Sequence, residues 1–192
     1  MMKNSWISSL FWLLGLIALC GCQPSVATSV TREKRVLTER DRLILGQEPS
    51  GVVGILELRE SMTTSESGDS EVVSEPVVLV GRIGGKATKA DRLQSDFPWD
   101  KGKAAFIMSD PTASIELDHD HGDEEHDCPF CNRKAADAQA LVQFVGDDGN
   151  PVPIDARDLF ELEGEELVVI QGKAELVGTL LMVTAVGIYV RR

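Results

Sequence analysis

The chain has 192 residues, with 19 Lys and Arg against 31 Asp and Glu, a formal charge of −12 at pH 7. An excess of carboxylates on this scale argues against nucleic acid and anionic lipid surfaces as partners, because both are held through clustered cations. Residues 77–192 are enough for one modest core and not for two.

The N-terminus reads as a leader. Lys3 gives a charged start, and the run from Trp6 to Leu19 is almost wholly apolar but short for a membrane span. It ends Leu19-Cys20-Gly21-Cys22, followed by Gln23, Pro24 and Ser25. This ending resembles the lipobox of bacterial lipoproteins, with a leucine three residues before the cysteine and a small residue directly before it. The resemblance implies that residues 1–21 are a signal peptide removed before Cys22. It further implies that the Cys22 thiol is acylated with palmitate-class chains. The mature chain would then be a membrane-anchored protein of the cell envelope, facing the periplasm or the exterior. Gln23 in place of an aspartate suits an outer-membrane destination. An ordinary signal peptide or a weak anchor helix is the plainer alternative. Loss of the leader removes Lys3 and leaves a formal charge of −13. It also leaves Cys128 and Cys131 as the remaining cysteines, one possible disulfide and no framework.

Residues 22–76 are expected to be connecting chain around one helix. Residues 23–29 are rich in Pro, Ser and Thr and read as a tether. Val30, Val36, Leu37, Leu43 and Ile44 recur at helical spacing with charges between them, which predicts a helix over 30–45, closed by Gly46 with Pro49 beyond. Residues 52–58 are a short apolar run of undecided type. Residues 61–75 hold Ser, Thr, Glu, Gly and Asp and read as a flexible linker.

From Val77 the pattern turns to strands. Runs at Val77–Ile83, Ala104–Met108, Leu141–Val145, Val152–Ile154, Leu167–Leu176 and Leu180–Val190 are separated by turn signals at Asp110-Pro111 and Asp147-Asp148-Gly149-Asn150. Asp155 is placed to cap a short helix over Ala156–Leu162. Gly81, Gly172 and Gly187 interrupt strand runs, where glycine often marks a bulge or a corner. Three strands, a short helix and two strands predict a mainly β fold, a five-stranded Greek-key barrel. The third strand is open: Ser114–Leu117 is one choice, with 141–154 then an added hairpin.

Four segments carry a more specific resemblance. Val78-Leu79-Val80-Gly81-Arg82-Ile83, Phe106-Ile107-Met108-Ser109-Asp110, Leu167 to Lys173 and Leu180 to Ala185 look like the first, second, fourth and fifth strands of the anticodon-binding type of OB domain. The chain also resembles a group of bacterial OB-fold lipoproteins carrying a Cys-Pro-Phe-Cys insertion, from which no activity is implied. An OB-like barrel over 77–192 is therefore expected, with an insertion over 110–138. An SH3-like or other small barrel is the competing fold.

That insertion holds the densest chemistry in the chain. His119, His121, His126, Cys128 and Cys131 supply five nitrogen and sulfur donors, interleaved with Asp118, Asp120, Asp123, Glu124, Glu125 and Asp127. Thiolate with imidazole is the donor set that zinc takes tetrahedrally and that copper also accepts, and the carboxylates create a field that favours a divalent cation. An acidic, apolar-poor segment cannot order itself by burial, whereas metal binding supplies ordering free energy. Cys128 and Cys131 with two of the three histidines would complete four ligands, at a spacing unlike the common zinc fingers. Three other readings stand beside this one. Cys-Pro-Phe-Cys ahead of a helical stretch resembles the active-site sequence of glutaredoxin-like proteins, and a thiol-redox or metal-delivery role follows. A plain structural disulfide suits an oxidising compartment. A disordered acidic, His-rich loop would buffer metal weakly. A c-type haem attachment needs a histidine after the second cysteine, where Asn132 stands.

Arg82, Lys86, Lys89, Arg92, Lys101 and Lys103 form a local basic patch that reads as a solvated loop, with an anion, a polysaccharide or a partner protein as the functional alternative. Phe106, Phe144 and Phe160 occupy core-like positions and leave few aromatics to stack on bases. No Ser–His–Asp set, phosphate loop or supported pair of catalytic carboxylates stands in the sequence. The expectation is a binding or structural module rather than an enzyme, with the membrane, through its anchor, and an envelope protein or small ligand as partners. Nucleic acid is not expected.

Overall fold

The computed structural model describes residues 26–65, 75–85, 95–113, 133 and 135–192. The fold is mainly β. Its strands are β1 (Glu75–Ile83), β2 (Ala105–Ser109), β3 (Gln139–Phe144), β4 (Leu167–Val177) and β5 (Leu180–Arg191). Helices α1 (Val26–Leu43) and α2 (Ile55–Ser65) precede them, and α3 (Ala156–Phe160) lies between β3 and β4.

The strands form one mixed sheet in the order β1-β2-β3-β5-β4, with β4 returning to β1, so the sheet closes into a ring. Every pairing is antiparallel except β3 with β5, which is parallel from Ala140↔Leu181 to Phe144↔Ala185. Side chains alternate across a strand, so one face of each strand lines the interior. Val77, Leu79 and Ile83 point inward from β1, and Leu181, Val183 and Ala185 do so from β5. Phe106, Phe144 and Phe160 are fully buried, the Phe144 ring touching each of the other two, with Trp99 meeting Phe106 edge-on at 5.7 Å.

Closure requires strong local curvature, and a bulge provides it. Between Gln171↔Gly187 and Gly172↔Ala185 the β4–β5 register shifts, leaving Val186 outside the pairing and exposed. A Cβ at Gly172 would run into the Thr184 carbonyl, so the two backbones approach in a way that glycine alone permits. At Gly187 the space above the backbone is taken by the Leu45 side chain. Leu45 follows α1, where Ile44 bridges Ile188 and the Leu45 N–H donates to the Ile188 carbonyl at 2.8 Å. The interior glycines thus mark a bulge and a docking point.

Asp155 caps α3, accepting from the Arg157 N–H at 3.1 Å, as its position predicts. The helix is shorter than the expected 156–162, because Glu161 turns to φ 55°. The Arg157 guanidinium bonds the same carboxylate at 2.8 and 2.7 Å. That side-chain bond holds the Asp155 carboxyl down at about 2.

Other expectations are settled or corrected. The undecided run 52–58 divides: Val53 bridges Leu79 of β1, and after Gly54 the chain enters α2. Residues 61–65, read as linker, are the end of that helix, where Met62 is buried. Residues 152–154 form no strand. The chain there makes a single bridge, Val145↔Pro151, and the Val152 N–H donates to the Phe144 carbonyl at 3.0 Å. Residues 139–144 are the central third strand, not part of an added hairpin, because they pair on both sides with β2 and β5. Ser114–Leu117, the other choice, lies outside the described residues, as do the leader with Cys22, residues 23–25 and residues 66–74; residues 26–29 of the expected tether 23–29 are instead the start of α1.

Leu43 at the end of α1, and Ile55, Leu58 and Met62 of α2, join the same buried cluster as the strand residues. No helix among the described residues is long and apolar enough to cross a membrane.

Candidate functional site

All histidines and cysteines of the chain, including His119, His121, His126, Cys128 and Cys131, lie outside the described residues. The described part of the site is the stem from which their segment departs. Strands β2 and β3 remain paired to their last position, Ser109↔Gln139. One step further, the Asp110 N–H donates to the Ala138 carbonyl at 2.8 Å, and the Ala113 N–H donates back to the Asp110 carbonyl at 3.2 Å. The chain therefore leaves at Ala113 and returns through a helical turn at 135–137 on a base held by main-chain hydrogen bonds.

Asp110 is the centre of this base and is only 3% exposed. One carboxylate oxygen, Oδ1, accepts from the Thr112 N–H at 2.9 Å and the Thr112 hydroxyl at 2.6 Å. The other, Oδ2, accepts from the Leu56 N–H at 3.1 Å, in the first turn of α2. The start of α2 thus takes its cap from a residue 54 positions further along the chain and not from its own flanking residues. Gly54 makes this possible, since a Cβ there would stand 2.8 Å from Asp110 Oδ2. Burial pushes the Asp110 carboxyl up, but the bonds from Thr112, Leu56 and Ile55 outweigh it and leave the group below its ordinary value.

Arg59 secures the other side of the stem. Its Nη1 donates to the Thr179 carbonyl in the β4–β5 turn at 2.9 Å, and its Nη2 to the Gln139 carbonyl at the start of β3 at 3.3 Å. Among the described residues it pairs with the Asp137 carboxylate, 3.9 Å away. Burial lowers the guanidinium's pKa, and Asp137 acts in the opposite direction. Its Nε is buried with no hydrogen-bond partner.

Arg82 donates to the Glu165 carbonyl at 2.8 Å and Lys103 pairs with Asp100 at 2.8 Å, while Lys86, Lys89 and Arg92 lie outside the described residues. Trp99 is partly buried, with the Arg157 guanidinium 5.7 Å from its ring centre. Among the described residues, no group of three or more His, Cys, Asp or Glu side chains gathers in a metal-binding arrangement.

Arg59 and the capping role of Asp110 were missed in the sequence. Asp110-Pro111 was legible as a turn, but nothing local links it to a helix start at residue 55. Comparisons with protein-family models, with curated proteins and with solved structures return no significant match.

Proposed function

We propose that the chain is an envelope-anchored lipoprotein in which an OB-like barrel acts as a binding or structural module and carries a zinc-class metal site in its β2–β3 insertion. The observation that carries this reading is the concentration of His119, His121, His126, Cys128 and Cys131 within a segment whose two ends are clasped by Asp110 and Ala138. Two thiolates and two imidazoles suit a tetrahedral ion, with copper as the alternative occupant. A closed stem lets such a segment order around an ion without disturbing the ring.

The OB assignment is supported by the strand order, by the parallel β3–β5 pair and by a short helix between β3 and β4. The lipid anchor at Cys22 rests on the leader and the Leu-Cys-Gly-Cys ending. Envelope placement and a charge of −13 without the leader both set nucleic acid aside as a ligand.

The test is metal content and free-thiol count of the full chain, extracted from membranes and purified without oxygen. About one zinc-class ion per chain is expected, by the usual four-ligand count. Cys128→Ser combined with Cys131→Ser should lose the ion and leave the unfolding midpoint of the ring nearly unchanged. Cys22→Ser should leave an unacylated precursor. Metal-free protein with an intact Cys128–Cys131 disulfide would replace this reading with the thiol-redox or metal-delivery one.

A further inference from the structure

A cavity of about 480 Å³ opens between α2 and the β4–β5 turn, away from the ring's core and independent of the metal ligands. Its lining includes Leu56, Arg59, Thr63, Asp137, Leu176 and Thr179. That volume lies within the usual range for small-molecule sites.

We propose that this cavity binds a small organic acid with a short apolar body, its carboxylate received by Arg59.

The argument begins with charge. The Arg59 side chain is 13% exposed, and its two hydrogen bonds go to carbonyl oxygens, which satisfy N–H groups but carry no compensating charge. Among the described residues the carboxylate paired with it is Asp137, 3.9 Å away and itself about half exposed. A cation this deeply placed gains from a closer counter-charge, and guanidinium is the side chain best matched to carboxylate. Glu60 and Asp137 both line the cavity, so a dianion would meet about twice the repulsion that a single carboxylate meets.

The wall supplies the second requirement. Leu56 and Leu176 face the cavity, and the turn residues Gly178 and Thr179 are flanked in the chain by Val177 and Leu180. Leu56, Val177 and Leu180 are among the large apolar side chains exposed on this protein. An aliphatic body of a few carbons would cover part of that surface, at roughly 0.8 kcal/mol per buried methylene.

Two sources share this chemistry: a free short-chain acid and the C-terminal carboxylate of a peptide. The experiment is calorimetric titration of the full chain in lipid nanodiscs with hexanoate and with N-acetyl-leucine, each matched by its amide, against empty nanodiscs. Saturable binding of at least one acid is expected, with its amide weaker by about tenfold or more, the scale of one lost charge-assisted hydrogen bond. Hexanoate alone binding assigns a free acyl acid, and N-acetyl-leucine alone assigns a peptide terminus. Arg59→Met should weaken the acid to the level of the amide. Thr63 is exposed, so Thr63→Trp should fill the cavity and abolish binding without lowering the unfolding midpoint. The proposal falls if neither acid binds above the nanodisc baseline, if the amides bind equally well, or if Thr63→Trp binds like the parent.

Discussion

Helix α2 meets the ring through buried apolar side chains, Ile55, Leu58 and Met62, and through a carboxylate cap donated by Asp110. Helix α1 meets it mostly through charge. Arg40 pairs with Glu161, Arg32 stands 3.8 Å from Asp158, and Arg42 bonds the Val145 carbonyl at 2.9 Å with Asp147 at 3.9 Å. Leu43 is the buried anchor of α1, and Leu37 remains 53% exposed. One helix is thus an outer part of the core, and the other is an arm held at its C-terminal end and steadied by exposed ion pairs. Burial of a leucine side chain contributes roughly 1.5–3 kcal/mol, whereas exposed pairs contribute little and weaken with salt. The lesson is that two helices neighbouring in sequence can belong to different energetic classes.

The sharpest test of that contrast is truncation of matched leucines. Leu58 is 6% exposed, and Leu58→Ala should lower unfolding free energy by about 2–5 kcal/mol in urea denaturation. Leu37→Ala should change it by less than about 0.5 kcal/mol. Equal effects would erase the distinction. A smaller loss is expected for Asp110→Ala, about 1–2 kcal/mol, because it removes the cap of α2 and leaves donors without acceptors. Acid should act in the same direction. The Asp110 carboxyl is lowered in the folded state, so its contribution is full above the unfolded value of about 3.9 and is lost as pH falls through the folded value. The gap between parent and Asp110→Ala measured near neutral pH should therefore shrink below about pH 4. The smallest effect belongs to Arg40→Ala. Its change in midpoint should be minor at low ionic strength and vanish in about 1 M salt, where the screening length is about 3 Å. A salt-insensitive loss would place α1 with α2.

Legibility in the sequence followed the range of the determining interactions. The strand runs starting at Val77, Leu167 and Leu180 announced themselves because alternation and β-branching are local, and the structure extends each by at most a few residues. The cap of α3 was legible because Asp155 and Arg157 are neighbours. Helix α2 was not, because its cap is Asp110 and its apolar face is defined by what it covers. The third strand was ambiguous for a related reason. Two short apolar segments competed for the place, and Gln139–Phe144 takes it by lying parallel to β5, a pairing that forms only when distant parts of the chain meet. Val152–Ile154 looked like a strand by residue type, but Pro151 and Pro153 bracket it, and proline cannot serve a ladder. Of the candidate metal site, donor identities were plain from the first reading, whereas the stem beneath them rests on the Asp110–Ala138 hydrogen bond, which no spacing rule announces.

The closed base of the β2–β3 connection has an entropic consequence. A loop's closure cost grows only with the logarithm of its length, by about 0.6 kcal/mol per doubling. With Ser109 paired to Gln139 and Asp110 bonded to Ala138, the ring experiences everything between them as one such loop. Cutting that connection to a quarter of its length would ease closure by only about 1.2 kcal/mol. The ring is therefore nearly indifferent to how much sequence it carries at this point, and the same frame folds beneath a longer or a shorter connection.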